Sequence, residues 1–230
     1  MPAAAHNAHP KRRTNEGAEN YAKALYELQE REPEGVGTTA VAQRLGVTPA
    51  SASGMLKRLA DDGLVEHVPY QGTRLTPDGE RIALEVIRHH RLLELFLAEV
   101  LGMPWDRVHE EAEVLEHHIS EELEELIAAK LGEPALDPHG DPIPDRDLAV
   151  SVDESIVLTD LKPGEEGVFT RVSDSDASML RYLAERSIQP GATLVVKGRE
   201  PFGGPVMVEI GKQTHPLGAE LAESMRVRRA

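Results

Sequence analysis

Residues 109–118 read HEEAEVLEHH, three histidines and four glutamates in ten positions. Each of these side chains can offer a nitrogen or oxygen lone pair to a metal ion. At about 100° per residue, a helix would place His109, Glu113, Glu116 and His117 within an arc of about 100°, with His118 on the opposite side. Upstream, His90 and Glu94 are four residues apart and share a helical face. If the two segments pack together, the six side chains can converge. For any single pair, an acidic surface with histidines satisfied by neighbouring glutamates is a sufficient explanation. Six potential ligands on two neighbouring helices point instead to a metal. Imidazole and carboxylate without sulfur suit Mn(II), Fe(II), Co(II), Ni(II) or Zn(II), and the chain has no cysteine to offer. An H-E-x-x-H motif is absent, so zinc-protease chemistry has no support.

These ligands need helices to carry them. Residues 77–101 have an apolar stripe of Ile82, Val86, Leu93, Phe96, Leu97 and Val100, broken by Leu101-Gly102-Met103-Pro104. A second helical region covers about 105–131, with an interruption near Ser120, which can cap the helix after it. Both are too apolar on one face to be solvated on all sides, which fits a dimer interface.

The first third of the chain has a different pattern. Residues 17–31 place Tyr21, Ala24, Leu25 and Leu28 on one helical face. A short helix comes next, with Thr38 or Thr39 as its cap and Gly46 as its stop. Thr48 and Pro49 then open a third helix as N-cap and first helical residue, with Met55, Leu56 and Leu59 as its buried face and Gly63 as its end. Two short strands around Gln71-Gly72 form a hairpin. Helix, tight turn, helix and hairpin is the outline of a winged helix-turn-helix. A small helical subdomain that binds no DNA is the plain alternative.

The formal charge of −15 opposes nucleic acid as a total, but its distribution does not. Residues 1–75 hold nine Lys and Arg against nine Asp and Glu, so the whole excess of acid lies in the remainder. Aromatic content of 3% disfavours a single-strand binder, which needs stacking platforms. The N-terminus has basic residues but no apolar core, so it reads as a tail and not a secretory signal. No apolar run is long enough to span a bilayer. The absence of cysteine fits a cytoplasmic location.

Residues 133–147, EPALDPHGDPIPDRD, are rich in Pro and Gly and read as a linker or extended crossing segment. Beyond them, SIVLTDL, EGVFTRV, ATLVVKG and PVMVEI alternate as strands, with a short helix at about 177–186. The pattern predicts a small barrel of about 75 residues.

Taken in order, the winged helix-turn-helix, HHRLLE and VHEEAEVLEHH resemble the diphtheria-toxin-repressor family, including its manganese-responsive members. The resemblance covers about residues 18–230 and extends to the Pro-rich GDPIP connector. It implies an α+β chain with a tail at 1–16, a winged helix-turn-helix at 17–76 and a helical metal-binding and dimerisation domain at 77–132. A Pro-rich linker at 133–154 and an SH3-like domain at 155–230 would complete it, the latter of the kind also found in ferrous-iron transport accessory proteins. It further implies a metal-activated homodimeric repressor that binds double-stranded operator DNA, controls metal-uptake genes and catalyses nothing.

The resemblance assigns His90, Glu94 and His109 to an ancillary metal site. It assigns Glu113, Glu116 and His117 to a primary site, with Asn20 as a further ligand from the first helix. Glu113 stands where iron-responsive members carry cysteine and manganese-responsive members glutamate. Manganese is therefore the expected activator, with Fe(II) next. Lys23 stands where short manganese-specific members have a further glutamate, and it cannot ligate while charged. From the barrel, Asp176 is the nearest match to an ancillary ligand, although it can equally cap the helix after it. Met179, the other matching barrel position, is expected to pack in the core. On the DNA side, Thr48, Ser51, Ser53, Lys57 and Arg58 belong to the recognition helix, with Thr39 and Arg74 near phosphates. Lys57 and Arg58 could also be a solvated helix end. The competing functions are a metal-dependent His/Glu hydrolase and a winged-helix regulator that uses no metal.

Overall fold

A computed structural model of the chain describes residues 15–68 and 70–230. The tail expected over 1–16 lies outside the described residues apart from its last two positions. The chain divides into two compact units, residues 1–84 and 85–230. No helix among the described residues is long and apolar enough to cross a membrane.

In the first unit, three helices precede a hairpin: α1 (Glu16–Gln29), α2 (Thr38–Arg44) and α3 (Pro49–Asp61), then β1 (Val65–Val68) and β2 (Gly72–Leu75). Local signals start and stop them. The Asn15 side chain accepts a hydrogen bond from Ala18 N at the start of α1, and Thr48 accepts one from Ser51 N at the start of α3, where Pro49 is the first helical residue. For α2 the expected threonine cap is replaced. Gly37 holds the N-cap position with no side-chain bond, and Thr38 opens the helix. The reason lies in the residue before it: Val36 exchanges two backbone hydrogen bonds with Thr73 in an isolated bridge, which fixes where the chain turns into α2. Gly72 is required at this join. Its φ is +119°, and a Cβ there would lie 2.2 Å from the Val36 carbonyl oxygen. The core is made by Tyr21, Leu25, Val36, Val41, Leu56, Leu59 and Leu64, joined by Ile82 from the start of α4 (Pro77–Glu99).

The second unit holds the rest of α4, then α5 (Val108–Leu115) and α6 (Glu121–Leu131). The interruption expected near Ser120 is present, and the Ser120 side chain accepts from Leu123 N to open α6. Leu92, Leu93, Leu95, Ala112, Ile127 and Ala128 form the helical core, which also takes Ile143 from the Pro-rich segment. That segment is packed. Asp137 Oδ1 accepts hydrogen bonds from the backbone N–H groups of His139 and Asp141, and Val172 N donates to the His139 carbonyl. Gly140 touches the sheet so closely that a Cβ would lie 1.9 Å from Thr170 O.

A six-stranded antiparallel sheet comes last, in the order β3-β8-β4-β5-β6-β7. Four strands lie where the alternation places them: β3 (Ile156–Val157), β4 (Glu166–Val172), β5 (Thr193–Arg199) and β6 (Val206–Ile210). The short helix is α7 (Ala177–Ala184). Two more strands, β7 (Gln213–Leu217) and β8 (Met225–Arg229), and α8 (Ala219–Ser224) complete the domain around Phe169, Leu194, Val208 and Val227. Met179 is half-buried against this core.

Candidate metal centre and DNA-binding face

α4 presents His90 and Glu94 one turn apart, and α5 presents His109 and Glu113 in the same spacing. The second unit brings the expected ligands of these helices onto shared contacts. His90 Nε2 lies 3.1 Å from Glu94 Oε1 and 3.1 Å from His109 Nδ1. On its other side, His90 Nδ1 meets Glu116 Oε2 at 2.5 Å, with Glu113 Oε1 at 3.8 Å. His117 Nε2 lies 3.4 Å from Glu116 Oε1. His90 thus faces Glu94 and His109 with one nitrogen and Glu113 and Glu116 with the other. The helical projection fails at the end of this stretch. α5 stops at Leu115, so Glu116 is its C-cap and His117 lies in the turn beyond. Asn20 lies half-buried on α1, in the first unit.

Asp176 stands apart from this cluster and takes the other role open to it, that of a helix cap. Its Oδ1 accepts from Ser178 N at 2.8 Å and from Ser178 Oγ at 2.6 Å, which makes it the N-cap of α7. The residue that enters is Asp174, two positions earlier, with Oδ2 3.1 Å from His109 Nδ1. His90, Glu94, His109 and Asp174 each bring a ligand-capable atom within 4.8 Å of the others.

Two further residues come from the Pro-rich segment, and sequence reasoning missed both. Asp137 and His139 form a buried group with Glu94. His139 Nδ1 lies 3.6 Å from Glu94 Oε2. His139 Nε2 faces the Trp105 carbonyl oxygen at 2.9 Å, and the two rings stack with centroids 5.5 Å apart. A carbonyl only accepts, so Nε2 carries the proton in that bond and Nδ1 is the atom turned toward Glu94 and Asp137. A metal-binding histidine commonly has its far nitrogen fixed in this way.

Burial and charge compete strongly here. Burial alone would lower the His109 imidazole, but hydrogen bonds and charges from Asp174 and Glu94 lift it to about 10. Burial would likewise lower His139, and Glu94, Asp137 and Asp174 lift it to about 9. For Asp174, burial is the largest influence and raises the carboxyl, but the His109 hydrogen bond together with the charges of His109 and His90 outweighs it and holds it at about 2. Burial, with Asp141 and Glu94 nearby, pushes the Asp137 carboxyl well up.

The donor set fits a divalent ion. Glu94 Oε2, Asp137 Oδ2 and His139 Nδ1 are all buried without a hydrogen-bond partner. Leaving one such atom unpaired costs about 1–3 kcal/mol, and a cation held between these residues, whose ligand atoms lie within 4.8 Å of one another, would pair with all three. All donors are imidazole nitrogen or carboxylate oxygen, the set that hard to borderline cations accept.

In the first unit, α3 turns Ala52, Leu56 and Leu59 inward and exposes Ser51, Ser53, Lys57 and Arg58. Thr48 at its N-cap, Thr39 on α2 and Arg74 on β2 are exposed as well. Thr48 and Ser51 also bond each other, Oγ1 to Oγ at 3.0 Å. The outer face of α3 is short-chained at its N-terminal end and basic toward its C-terminal end, which would let a helix approach a groove closely.

Three family models match. The N-terminal DNA-binding domain of the iron-dependent repressors matches residues 13–73, their metal-binding and dimerisation domain residues 76–145, and the FeoA domain residues 156–229. The iron-dependent repressor IdeR of Mycobacterium tuberculosis is 31% identical over 223 residues, 91% of this chain and 95% of that protein. The chain belongs to the iron-dependent repressor family, that of the diphtheria toxin repressor. It is a metal-dependent transcriptional repressor built from a winged helix-turn-helix, a helical dimerisation domain and an SH3-like domain. The diphtheria toxin repressor of Corynebacterium diphtheriae is 35% identical over 168 residues, 72% of this chain and 69% of that protein. Among solved structures, a manganese-dependent transcriptional repressor in complex with manganese superposes with a TM-score of 0.87. It is 41% identical and covers 93% of this chain and all of its own. ScaR with bound Zn2+ gives a TM-score of 0.80 at 30% identity, over 94% of this chain and all of its own.

Proposed function

We propose that this repressor is activated by Mn(II), with Fe(II) as the second metal, and that it acts in the cytoplasm as a homodimer on double-stranded operator DNA of metal-uptake genes. It catalyses no reaction. The carrying observation is the sulfur-free cluster around His90, with carboxylate at Glu113, where iron-responsive relatives carry cysteine. Glu113, Glu116 and His117 form the primary ligand set, to which the family resemblance adds Asn20. Glu94, His109 and Asp174 form the second set with His90, and Asp137 and His139 extend it. A bound divalent ion supplies the positive charge that replaces the imidazole protons among these carboxylates. The chain's own residues then determine what is held: α4 and α5 through His90, Glu94, His109 and Glu113, the connector through His139, and the turn before α7 through Asp174.

Exposed Leu101, Val114, Leu123 and Leu126 support the dimer, since they leave an apolar surface on the domain whose family model is one of dimerisation. In the reading head, the short Ser and Thr side chains of α3 read little by themselves, so phosphate contacts supply most of the affinity. Lys57→Ala and Arg58→Ala should each weaken binding to operator and random DNA alike, and flatten the salt dependence by about one unit for each phosphate that is no longer neutralised. Fluorescence anisotropy across a salt series measures it. Weakening confined to one base pair would make that residue a base reader.

Manganese preference follows from the oxygen-rich site. Mn(II) binds most weakly of the divalent series and is favoured where no soft ligand selects its competitors. An anaerobic operator titration at matched, buffered free metal tests the reading. Half-maximal binding with Mn(II) is expected at a free concentration no higher than general affinity order allows for Fe(II), and EDTA should abolish binding. Activation by Fe(II) beyond its general affinity advantage would reverse the preference. Undiminished binding in EDTA would favour a regulator that uses no metal.

A further inference from the structure

Glu116 is held from two sides by consecutive histidines of α4. His90 takes its side chain, while His89 takes its main chain, with Nδ1 3.0 Å from the Glu116 carbonyl oxygen. Adjacent helical residues point about 100° apart, so the pair can grip one residue from two directions. The carbonyl in question sits at the C-cap of α5, where a helix leaves acceptors without intrahelical donors. Because a carbonyl only accepts, His89 Nδ1 is the donor in that bond. The other ring nitrogen lies 2.9 Å from Glu124 Oε2 on α6, and Arg88 Nε donates to Oε1 of that same carboxylate at 2.5 Å. Arg88 Nη1 also donates to the Pro144 carbonyl at 2.6 Å. All three side chains are buried.

We propose that His89, fixed by Glu124 and Arg88, is a positioning residue for Glu116 and sets the affinity of the metal site to which Glu116 contributes. This rests on the reading of Glu116 as a ligand. His89 bonds the main chain of Glu116 and leaves its carboxylate to His90. Its action is therefore to fix the end of α5, from which the Glu116 carboxylate projects. A buried charged network is a poor source of net stability, since apolar residues of similar volume often serve as well. What this network provides is direction. Glu124 orients the ring, the ring orients the carbonyl, and α6 is tied to the same point.

The test uses the full chain and Mn(II) as the probe. Free Mn(II) is followed by its EPR signal, and thermal midpoints are measured in EDTA. His89→Asn keeps an amide N–H near the position of Nδ1, whereas His89→Gln places one near Nε2 and leaves the Glu116 carbonyl without its donor. Glu116→Gln first defines which class of Mn(II) site depends on that carboxylate. His89→Gln is expected to weaken this class by roughly 10–100-fold, the usual effect of removing a group that orients a ligand, and His89→Asn to recover most of that affinity. Wild-type affinity in both histidine variants would overturn the proposal. So would equal weakening in both that tracks a fall in the metal-free midpoint, because that is a packing effect. If Glu116→Gln leaves Mn(II) binding unchanged, the ligand reading itself fails and the proposal falls with it. Should His89→Gln not fold, Glu124→Gln keeps the shape and removes the carboxylate that orients the ring, and the same comparison is made with it.

Discussion

Glu113→Ala and His117→Ala are each expected to abolish metal-dependent operator binding while leaving the metal-free fold intact. Glu113 is half-exposed on α5, and its carboxylate stands 3.8 Å from both His90 Nδ1 and His109 Nε2. Truncating it removes little packing, so its effect on stability should be small. What it removes is differential affinity for metal, and metal can bias the protein only by that amount. A coupling of ~1–3 kcal/mol corresponds to about 5–150-fold in operator affinity, and that whole factor should vanish. His117 contributes its Nε2 beside Glu116 Oε1 and should behave the same way. Glu94→Ala should weaken the response without abolishing it, because the proposed function puts Glu94 in the second ligand set. Operator titrations with and without Mn(II), alongside circular dichroism, separate these outcomes. Equal effects from all three substitutions would mean that the two ligand sets act as one.

Metal binding at the second set should become steeply tighter as pH rises. In the metal-free protein His109 is lifted to about 10 and His139 to about 9, so both imidazoles are protonated at neutral pH. Ligation needs the lone pair, and each proton must leave as the metal enters. Two protons released imply about a hundredfold gain in affinity per pH unit below about 9. Asp137, also pushed up, adds a third wherever it is still protonated. The sign reverses for the metal-free fold. A raised histidine stabilises it fully below the ordinary value of 6.5, and that contribution is lost as pH climbs toward 9–10. Calorimetry in buffers of different ionisation enthalpy counts the protons. A count near zero at pH 7 would show that the histidines are neutral before metal arrives.

The elements that the sequence announces are those set by local chemistry. Thr48 and Pro49 start α3 and Ser120 starts α6, and each acts within one turn of itself. His90, Glu94, His109 and Glu113 are legible because their four-residue spacing is a property of one helix. Strands β7 and β8 are less so. QTHPL contains a proline, and MRVRR looks like a basic tail until Met225 and Val227 are seen to be buried against β3 and β4. Asp137 and His139 are hidden by their own neighbours, since Pro138 and Gly140 mark a linker. Only the close approach of Gly140 to Thr170 and the Val172–His139 hydrogen bond pack that linker so that Asp137 and His139 meet Glu94. Asp176 is legible as the cap of α7 from its place before the helix, whereas no local rule says that Asp174, two positions earlier, turns toward His109.

The proposed function places the activating divalent ion among the carboxylates and imidazoles around His90. Crystals grown with Mn(II), with diffraction recorded at and below the manganese absorption edge, test this most directly. Anomalous difference density is expected beside Glu113, Glu116 and His117, with a second position among Glu94, His109, His139 and Asp174. Density confined to surface carboxylates, or none at millimolar Mn(II), would contradict it.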